Sequence, residues 1–243
     1  MNILYEDNHM IAVVKPPGIL SQADHSTAAD MVNLLKCDIK ERYRKPGNVY
    51  VGLIHRLDRN VGGTMVFAKT SKGASRLSAS LRDKQFYKAY FALAEGIMKR
   101  SQMTLKHYLY KDERYNKAEE DPARGKLSVL RVIRLAVNAE AGRSLTLALP
   151  ITGRSHQIRA QMALAGFPLA GDPKYGSAAA GSGAREDMGL WSCHVAVRHP
   201  VREEMMHFIS APERKGVWRT FDTADYDRGL DVPAERIIEW FTI

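Results

Sequence analysis

A short apolar run, Val51, Leu53 and Ile54, stops at His55-Arg56-Leu57-Asp58-Arg59, and a glycine pair, Gly62-Gly63, follows at once. The run reads as a strand, so the chain must leave the sheet in a tight charged loop. That loop sets one carboxylate, Asp58, between two arginines. A carboxylate at a strand end beside fixed positive charge is held ionised and in place. Nothing about a stable fold asks for it. The arrangement describes a surface ion pair, which is common and weak, as well as it describes a nucleophile or an acid–base group. The rest of the chain has to decide.

The chain has 243 residues, enough for one large domain or two closely joined halves with a real core. Lys and Arg total 36 against 27 Asp and Glu, a surplus of +9 that suits a polyanionic partner, nucleic acid being the usual one. Cys37 and Cys193 lie far apart with no metal spacing, which fits free thiols in a reducing compartment. No stretch approaches the length of an apolar membrane span, and no signal-peptide pattern opens the chain. A cytoplasmic, monomeric protein without a membrane partner is expected.

Strand patterns run from Ile3 to Tyr5 and from Met10 to Val14, the second closed by Lys15-Pro16-Pro17-Gly18, a rigid turn that no ladder continues. Ala28–Tyr43 reads as a helix with Met31, Leu34, Leu35 and Ile39 on one face. Thr64–Ala68 reads as a strand, and Ser71–Lys84 as a helix with Ser71 as its cap. Phe86–Ala94 alternates as a strand, while the charged stretch Lys111–Lys126 reads as a long exposed connection. Strands follow at Leu127–Leu135 and Ser144–Leu149, then a helix from about His156 to Ala165 capped by Ser155. Gly176–Gly183 is small and flexible, the pattern of a mobile surface loop. A final hairpin, Leu190–Val197 and Glu204–Phe208, turns at His199-Pro200. Strands and helices intermingle without regular alternation, so an α+β fold is expected: a mixed, largely antiparallel central sheet with flanking helices and a catalytic cleft.

Three further segments carry chemistry. In Phe86–Leu93, Tyr87 and Tyr90 fall on opposite faces of a strand, so one can pack while the other points outward. In Leu149–Arg159, Arg159 falls about one turn beyond a helix cap, where the helix dipole opposes a cation and an anionic partner is required. Arg154 and His156 flank the same cap, where backbone N–H groups favour phosphate. In Leu169–Gly176, a turn presents Lys174 and Tyr175, suited to a phosphate and a base. Each also reads as ordinary packing or a solvated surface. His194 and His199 make no ligand set, and no glycine-rich phosphate loop is present, which points to chemistry by side chains alone.

Taken in order, these segments closely resemble the RluA-type family of RNA pseudouridine synthases. Lys15-Pro16-Pro17-Gly18 is similar to that family's Lys-Pro-x-Gly turn, and His55-Arg56-Leu57-Asp58-Arg59 to its His-Arg-Leu-Asp signature. Lys88-Ala89-Tyr90 resembles its Lys-x-Tyr strand, and Thr152–Arg159 its Thr-Gly-Arg-x-His-Gln-Ile-Arg helix start. Gly171–Gly176 and His199-Pro200 complete the order, so the likeness covers roughly residues 1 to 212. Where the family continues with Thr-Ser-Gly, this chain has Val61-Gly62-Gly63.

The resemblance implies a catalytic domain over residues 1–212, a C-terminal extension over 213–243 whose role is not readable, and no N-terminal RNA-binding domain. It implies isomerisation of uridine to pseudouridine in ribosomal or transfer RNA, with Asp58 as nucleophile and neither cofactor nor metal. Arg159 would hold Asp58 ionised and oriented, and Tyr90 would pack against the flipped base and accept a proton. Arg56 would fill the gap left by that base. Arg154, His156, Lys174 and Tyr175 would contact the RNA. Two rival readings are a non-catalytic RNA-binding protein on the same fold and a glycoside hydrolase. The hydrolase needs a second acid across the scissile bond, and the motif segments supply one clear candidate, Asp58, with no obvious partner.

Overall fold

Met10-Ile11-Ala12-Val13 carries no polar side chain, and such a strand must be covered on both faces. It becomes the interior of β2 (Met10–Lys15), all four residues fully buried. The structure is a computed structural model that describes residues 1–176 and 187–241, so the loop expected at Gly176–Gly183 lies, past Gly176, outside the described residues. The chain forms two compact units, Met1–Lys88 with Ser192–Ala211, and Ala89–Trp191 with Pro212–Ile243.

In the first unit, β1 (Asn2–Glu6) pairs with β2, and β2 pairs in turn with β4 (Gly62–Ala68), Val14 opposite Thr64 and Lys15 opposite Gly63. The two-residue β3 (Gly52–Leu53) pairs with the far end of β4, so the Asp58 loop is the connection between two strands of one sheet. β10 (Leu190–Arg198) and β11 (Met205–Ile209) form the expected closing hairpin, Ala196 opposite His207. Helices α1 (Met31–Arg42) and α2 (Ser71–Arg82) flank these strands. Their starts differ from the expected ones, because Asp30 and Thr70 are the caps: Asp30 accepts from the Asn33 N–H at 3.1 Å and Thr70 from the Gly73 N–H at 3.0 Å. Leu34 is exposed, while Met31, Leu35 and Ile39 are buried. The core gathers Met10, Ile54, Val66, Leu77, Phe86 and Val195.

In the second unit the strand order is β5 (Phe86–Glu95), β9 (Arg143–Pro150), β8 (Lys126–Asn138), β6 (Gln102–Asp112) and β7 (Lys117–Glu120). Neighbours along this order pair antiparallel. The charged stretch expected to be a connection is in part a hairpin: Asp112 sits opposite Lys117 and Leu109 opposite Glu120, with Asn116 in the left-handed turn position. An edge strand of Lys and Glu escapes a pattern search because charge, rather than apolar alternation, is what keeps an edge from pairing further. Helix α3 (Gln157–Leu164) flanks this sheet. The residues after Pro212 pack in the same unit. A 3-10 turn (Gly216–Thr220), α4 (Thr223–Leu230) and α5 (Ala234–Trp240) bring Tyr226 against Phe91, ring centres 5.3 Å apart. Asn138 Nδ2 donates to the Thr220 carbonyl at 2.8 Å. The strands and helices are those of the expected mixed, largely antiparallel sheet with flanking helices. Among the described residues no helix is long and apolar enough to cross a membrane.

Gly63 closes the Asp58 loop at φ +118, a region side-chain-bearing residues rarely enter, and a Cβ there would lie 2.3 Å from the Ser192 carbonyl oxygen. Gly63→Ala should therefore destabilise the protein by on the order of 3 kcal/mol. Thermal melts of the purified variant test this, and an unchanged melting temperature would show that the strand can shift to admit a methyl group.

Candidate active site

Asp58 owes its position to a lysine. Lys15 ends β2 with its side chain fully buried, and its ammonium donates to the carbonyls of Pro16 (3.0 Å), Ile19 (2.7 Å) and Arg59 (3.0 Å). Burial pushes this ammonium down to about 8, against the pull of the Asp58 carboxylate. The Gly18 N–H donates to the Arg59 carbonyl at 2.8 Å, and Arg59 Nε returns a bond to the Gly18 carbonyl at 3.0 Å. Ser21 completes the clamp, its hydroxyl donating to the Leu57 carbonyl at 2.7 Å and accepting from the Leu57 N–H at 3.0 Å. The Pro-Pro-Gly turn and the Asp58 loop are thus one body. Asp58 itself is half-buried, with its carbonyl accepting from the Val61 N–H at 3.0 Å, and Arg56 is exposed.

His55 faces the other way, into the core. Its Nε2 accepts from the Val66 N–H at 3.0 Å, so the proton sits on Nδ1. Burial, with the Lys88 charge added, holds it down to about 3, and it is neutral at physiological pH. Burial also pushes Lys88 down to about 8. Two residues further along β5, on the same face of the strand, Tyr90 is buried opposite Ala148.

In the second unit the segment Thr152–Arg159 is organised by Gln157. Its Oε1 accepts from Thr152 Oγ1 (2.9 Å) and the Arg154 N–H (3.0 Å), and its Nε2 donates to the Val129 carbonyl (3.0 Å). This corrects the expected cap: α3 starts from His156 in a left-handed conformation, φ 52, and the exposed Ser155 does not cap it. With the Gln157 amide folded back onto the loop, the Arg154 N–H is already satisfied.

Arg159 is the third residue of α3 and is buried, where the dipole opposes it. Its required anion is Asp172, bound through Nε to Oδ2 and Nη2 to Oδ1, each at 2.8 Å. Asp172 also accepts from the Lys174 and Tyr175 N–H groups, at 2.9 and 3.2 Å. Burial raises this carboxyl, but the Arg159 fork and the two amides outweigh burial and hold it below its usual range. Tyr175 lies under the Arg159 guanidinium at 5.1 Å, its hydroxyl 3.1 Å from His156 Nδ1 and accepting from the Ala118 N–H at 2.6 Å. The Lys174 ammonium donates to the Asn116 carbonyl at 2.8 Å. The structure thus brings His156, Arg159, Lys174 and Tyr175 together around Asp172, while Arg154 stays exposed. Lys15, Ser21, Gln157 and Asp172 were not assigned roles from sequence. A lysine closing an all-apolar strand and an Asp-Pro turn beside a buried helical arginine were the available signals.

The family model described as RNA pseudouridylate synthase matches residues 9–164, which hold the Asp58 loop, the Lys88–Tyr90 strand and Arg159. The chain belongs to that family. Its members are RNA-modifying isomerases. A Bacillus subtilis relative, the "Uncharacterized RNA pseudouridine synthase YhcT", is 32% identical over 91% of this chain and 72% of its own length. The "Ribosomal large subunit pseudouridine synthase C" of Vibrio parahaemolyticus is 32% identical over 86% of this chain and 65% of that protein. The Escherichia coli protein of the same name is 30% identical over 89% and 68%. Among solved structures, "Human RNA Pseudouridylate Synthase Domain Containing 1" shares the fold with a TM-score of 0.72 at 21% identity, covering 96% of this chain and 95% of that one.

Two tests follow from the charges of this synthase-family chain. Arg159→Ala strands a buried carboxylate and should cost about 3–5 kcal/mol in chemical denaturation. Arg159→Lys should recover only part, because one ammonium cannot span both oxygens. A double cycle with Asp172→Asn showing no coupling would remove the pair from the stability argument.

The second concerns acid. His55 is held down to about 3 and His194 down to about 4, both by burial, each below the ordinary 6.5. A group depressed in the fold contributes stability above its unfolded value and loses it as pH falls through the window toward its folded one. The melting temperature should therefore fall as pH drops from 6.5 toward 4, and His194→Asn should make that decline shallower. An identical slope in the variant would assign the acid sensitivity elsewhere.

Proposed function

We propose that the chain isomerises uridine to pseudouridine in large-subunit ribosomal RNA, with Asp58 as nucleophile and Tyr90 and Arg159 completing the catalytic set. The observation that carries this is the Asp58 loop: an intact His55–Arg59 signature, inside the matched family segment, with its backbone clamped by Lys15, Gly18 and Ser21. A loop fixed by backbone bonds holds the Asp58 carboxylate in one place and spares it the reorganisation a mobile loop would need. The relatives named for the large ribosomal subunit support the substrate.

In the reaction the uridine N1–C1′ bond breaks, the uracil turns, and a C5–C1′ bond forms. The C5 proton is lost and N1 gains one, so atoms and electrons balance within the nucleotide. Asp58 attacks at the ribose or the base. Arg159 contributes a fixed charge on a guanidinium already aligned by Asp172. Tyr90 packs against the base and accepts a proton. A stacked uridine is out of reach, so the base is flipped, and exposed Arg56 fills the vacated stack. Exposed Arg154 and Lys174 meet phosphates, and His156 and Tyr175 frame that approach. No redox or hydrolytic step occurs, so the scheme calls on no cofactor or metal. We assign the protein to the cytoplasm as a monomer, in keeping with its free thiols, Cys37 and Cys193.

Asp58→Asn keeps shape and removes charge. Pseudouridine formation in ribosomal RNA, read by mass mapping after incubation with the variant, should vanish while RNA binding persists. Near-normal turnover by this variant would sink the nucleophile assignment. Modification of transfer RNA alone by the wild type would move the substrate.

A further inference from the structure

The C-terminal end of α1 carries positive charge and an aromatic ring that neither the catalytic set nor the core uses. Tyr43 follows the helix and is 52% exposed, and three cations lie near its ring: Arg42 at 5.1 Å from the ring centre, Lys69 at 5.2 Å and Lys45 at 5.9 Å. Two of these are already neutralised. Arg42 pairs with Asp38 at 2.7 Å and Glu6 at 2.8 Å, and Lys69 pairs with Glu6 at 2.6 Å. They therefore hold the ring in place and contribute little net charge.

The remaining cations are different. Among the described residues Lys36, Lys40, Arg44 and Lys45 make no ion pair. Lys36 and Lys40 lie four apart on α1, a like-charge spacing that destabilises a helix. Together with Cys37, Asn48 and Val49 they line a surface cavity of about 370 Å³. Lys40 and Tyr43 are three apart, hence neighbours on the helix surface at about 5–6 Å between Cβ atoms.

The backbone adds a further cost that stability does not explain. The Lys45 N–H donates to the Lys40 carbonyl at 3.0 Å and the Arg44 N–H to the Glu41 carbonyl at 3.1 Å, the two bonds of a Schellman cap. Arg44 occupies its left-handed position, φ 47, where glycine is the strain-free choice. Repelling lysines around a cavity and an exposed ring both become favourable with one kind of ligand: a polyanion that also carries aromatic faces.

We propose that this end of α1 is an accessory site for single-stranded RNA, with one base stacked on Tyr43 and neighbouring phosphates on Lys36 and Lys40. The proposal rests on the RNA-modifying reading above and adds to it a grip on unpaired substrate flanking the target.

The test uses the full chain and a fluorescein-labelled oligouridylate of about 12 nucleotides, within the span of one single-strand site. Tyr43→Ala should weaken binding roughly tenfold, whereas Tyr43→Phe, which keeps the ring, should bind like the wild type. The Lys36→Ala, Lys40→Ala double variant should lower the slope of log affinity against log salt by about 1.4, about 0.7 for each phosphate of a single strand that is no longer neutralised. Melting temperatures of all three confirm that they fold. Unchanged affinity in Tyr43→Ala, or equal loss in Tyr43→Phe, overturns the stacking site. Equally tight, equally Tyr43-dependent binding of polyglutamate would show a generic acidic-peptide surface and overturn it as well. Pseudouridine formation by the wild type is scored separately: its absence would sink the catalytic reading and leave a positive Tyr43 result standing.

Discussion

One ammonium group sets the geometry of the first unit. Lys15 ends a strand whose preceding residues are apolar, and its charge is buried where a methionine would be expected. Three carbonyls, from Pro16, Ile19 and Arg59, make that burial tolerable, and they join two segments, the turn after β2 and the Asp58 loop, that would otherwise be independent. A lysine suits the task because three converging acceptors match three ammonium protons, whereas a planar guanidinium would spread its donors in a fork. The two prolines make the turn stiff, so the lysine clamps the Asp58 loop to a rigid partner. The carboxylate of Asp58 in turn favours the charged lysine. The proposed nucleophile and the clamp that positions it are electrostatically coupled.

The second unit solves a related problem with the opposite geometry. Arg159 sits where the first turn of α3 repels a cation, and its stability there depends on Asp172 supplying both oxygens to a two-pronged bond. Asp172 can do so because the Lys174 and Tyr175 amides fix its carboxylate from the other side. Tyr175 closes the arrangement, its ring against the guanidinium and its hydroxyl on Ala118 of β7. The Gly-Asp-Pro-Lys-Tyr-Gly turn is therefore structural support for the cation we assign to catalysis, as well as the surface we assign to RNA. Side chains already ordered by such bonds lose little entropy when a ligand arrives.

Sequence made the framework legible wherever chemistry and periodicity agree. The strand before Lys15, the loop at Asp58, the Phe86–Glu95 strand and the closing hairpin all announce themselves through apolar runs or alternation cut by Pro, Gly or charge. The β6–β7 hairpin does not, because Lys117, Glu119 and Glu120 serve as an edge and a single small residue, Ala118, is all of β7 that is buried. Helix caps were off by a residue where two candidates adjoin: Thr70 beside Ser71, His156 beside Ser155. The helix dipole calls for an anion beside Arg159, but only the three-dimensional turn shows that Asp172 supplies one. Long-range partners such as Lys15 with Arg59 have a sequence separation of 44, and no local pattern encodes them.

The departure at Val61-Gly62-Gly63 is intelligible in the same terms. Two hydroxyls of the family pattern are absent, and hydroxyls in such a loop would ordinarily bond to nearby backbone. Here the backbone groups of the loop are met from elsewhere: Leu57 by Ser21, Arg59 by Lys15 and Gly18, and Asp58 by the Val61 N–H. Val61 is buried, so the position contributes apolar packing in place of a polar bond. Hydroxyls reappear just beyond the loop, where Thr64 Oγ1 meets Ser210 Oγ at 2.9 Å and Ser192 Oγ donates to the Thr64 carbonyl at 3.1 Å. Gly63 is the member of the pattern that cannot change, because the Ser192 backbone occupies the space of its missing Cβ. The loop tolerates exchange of side chains that add bonds to an already satisfied backbone, and it forbids exchange where steric exclusion sets the path of the chain.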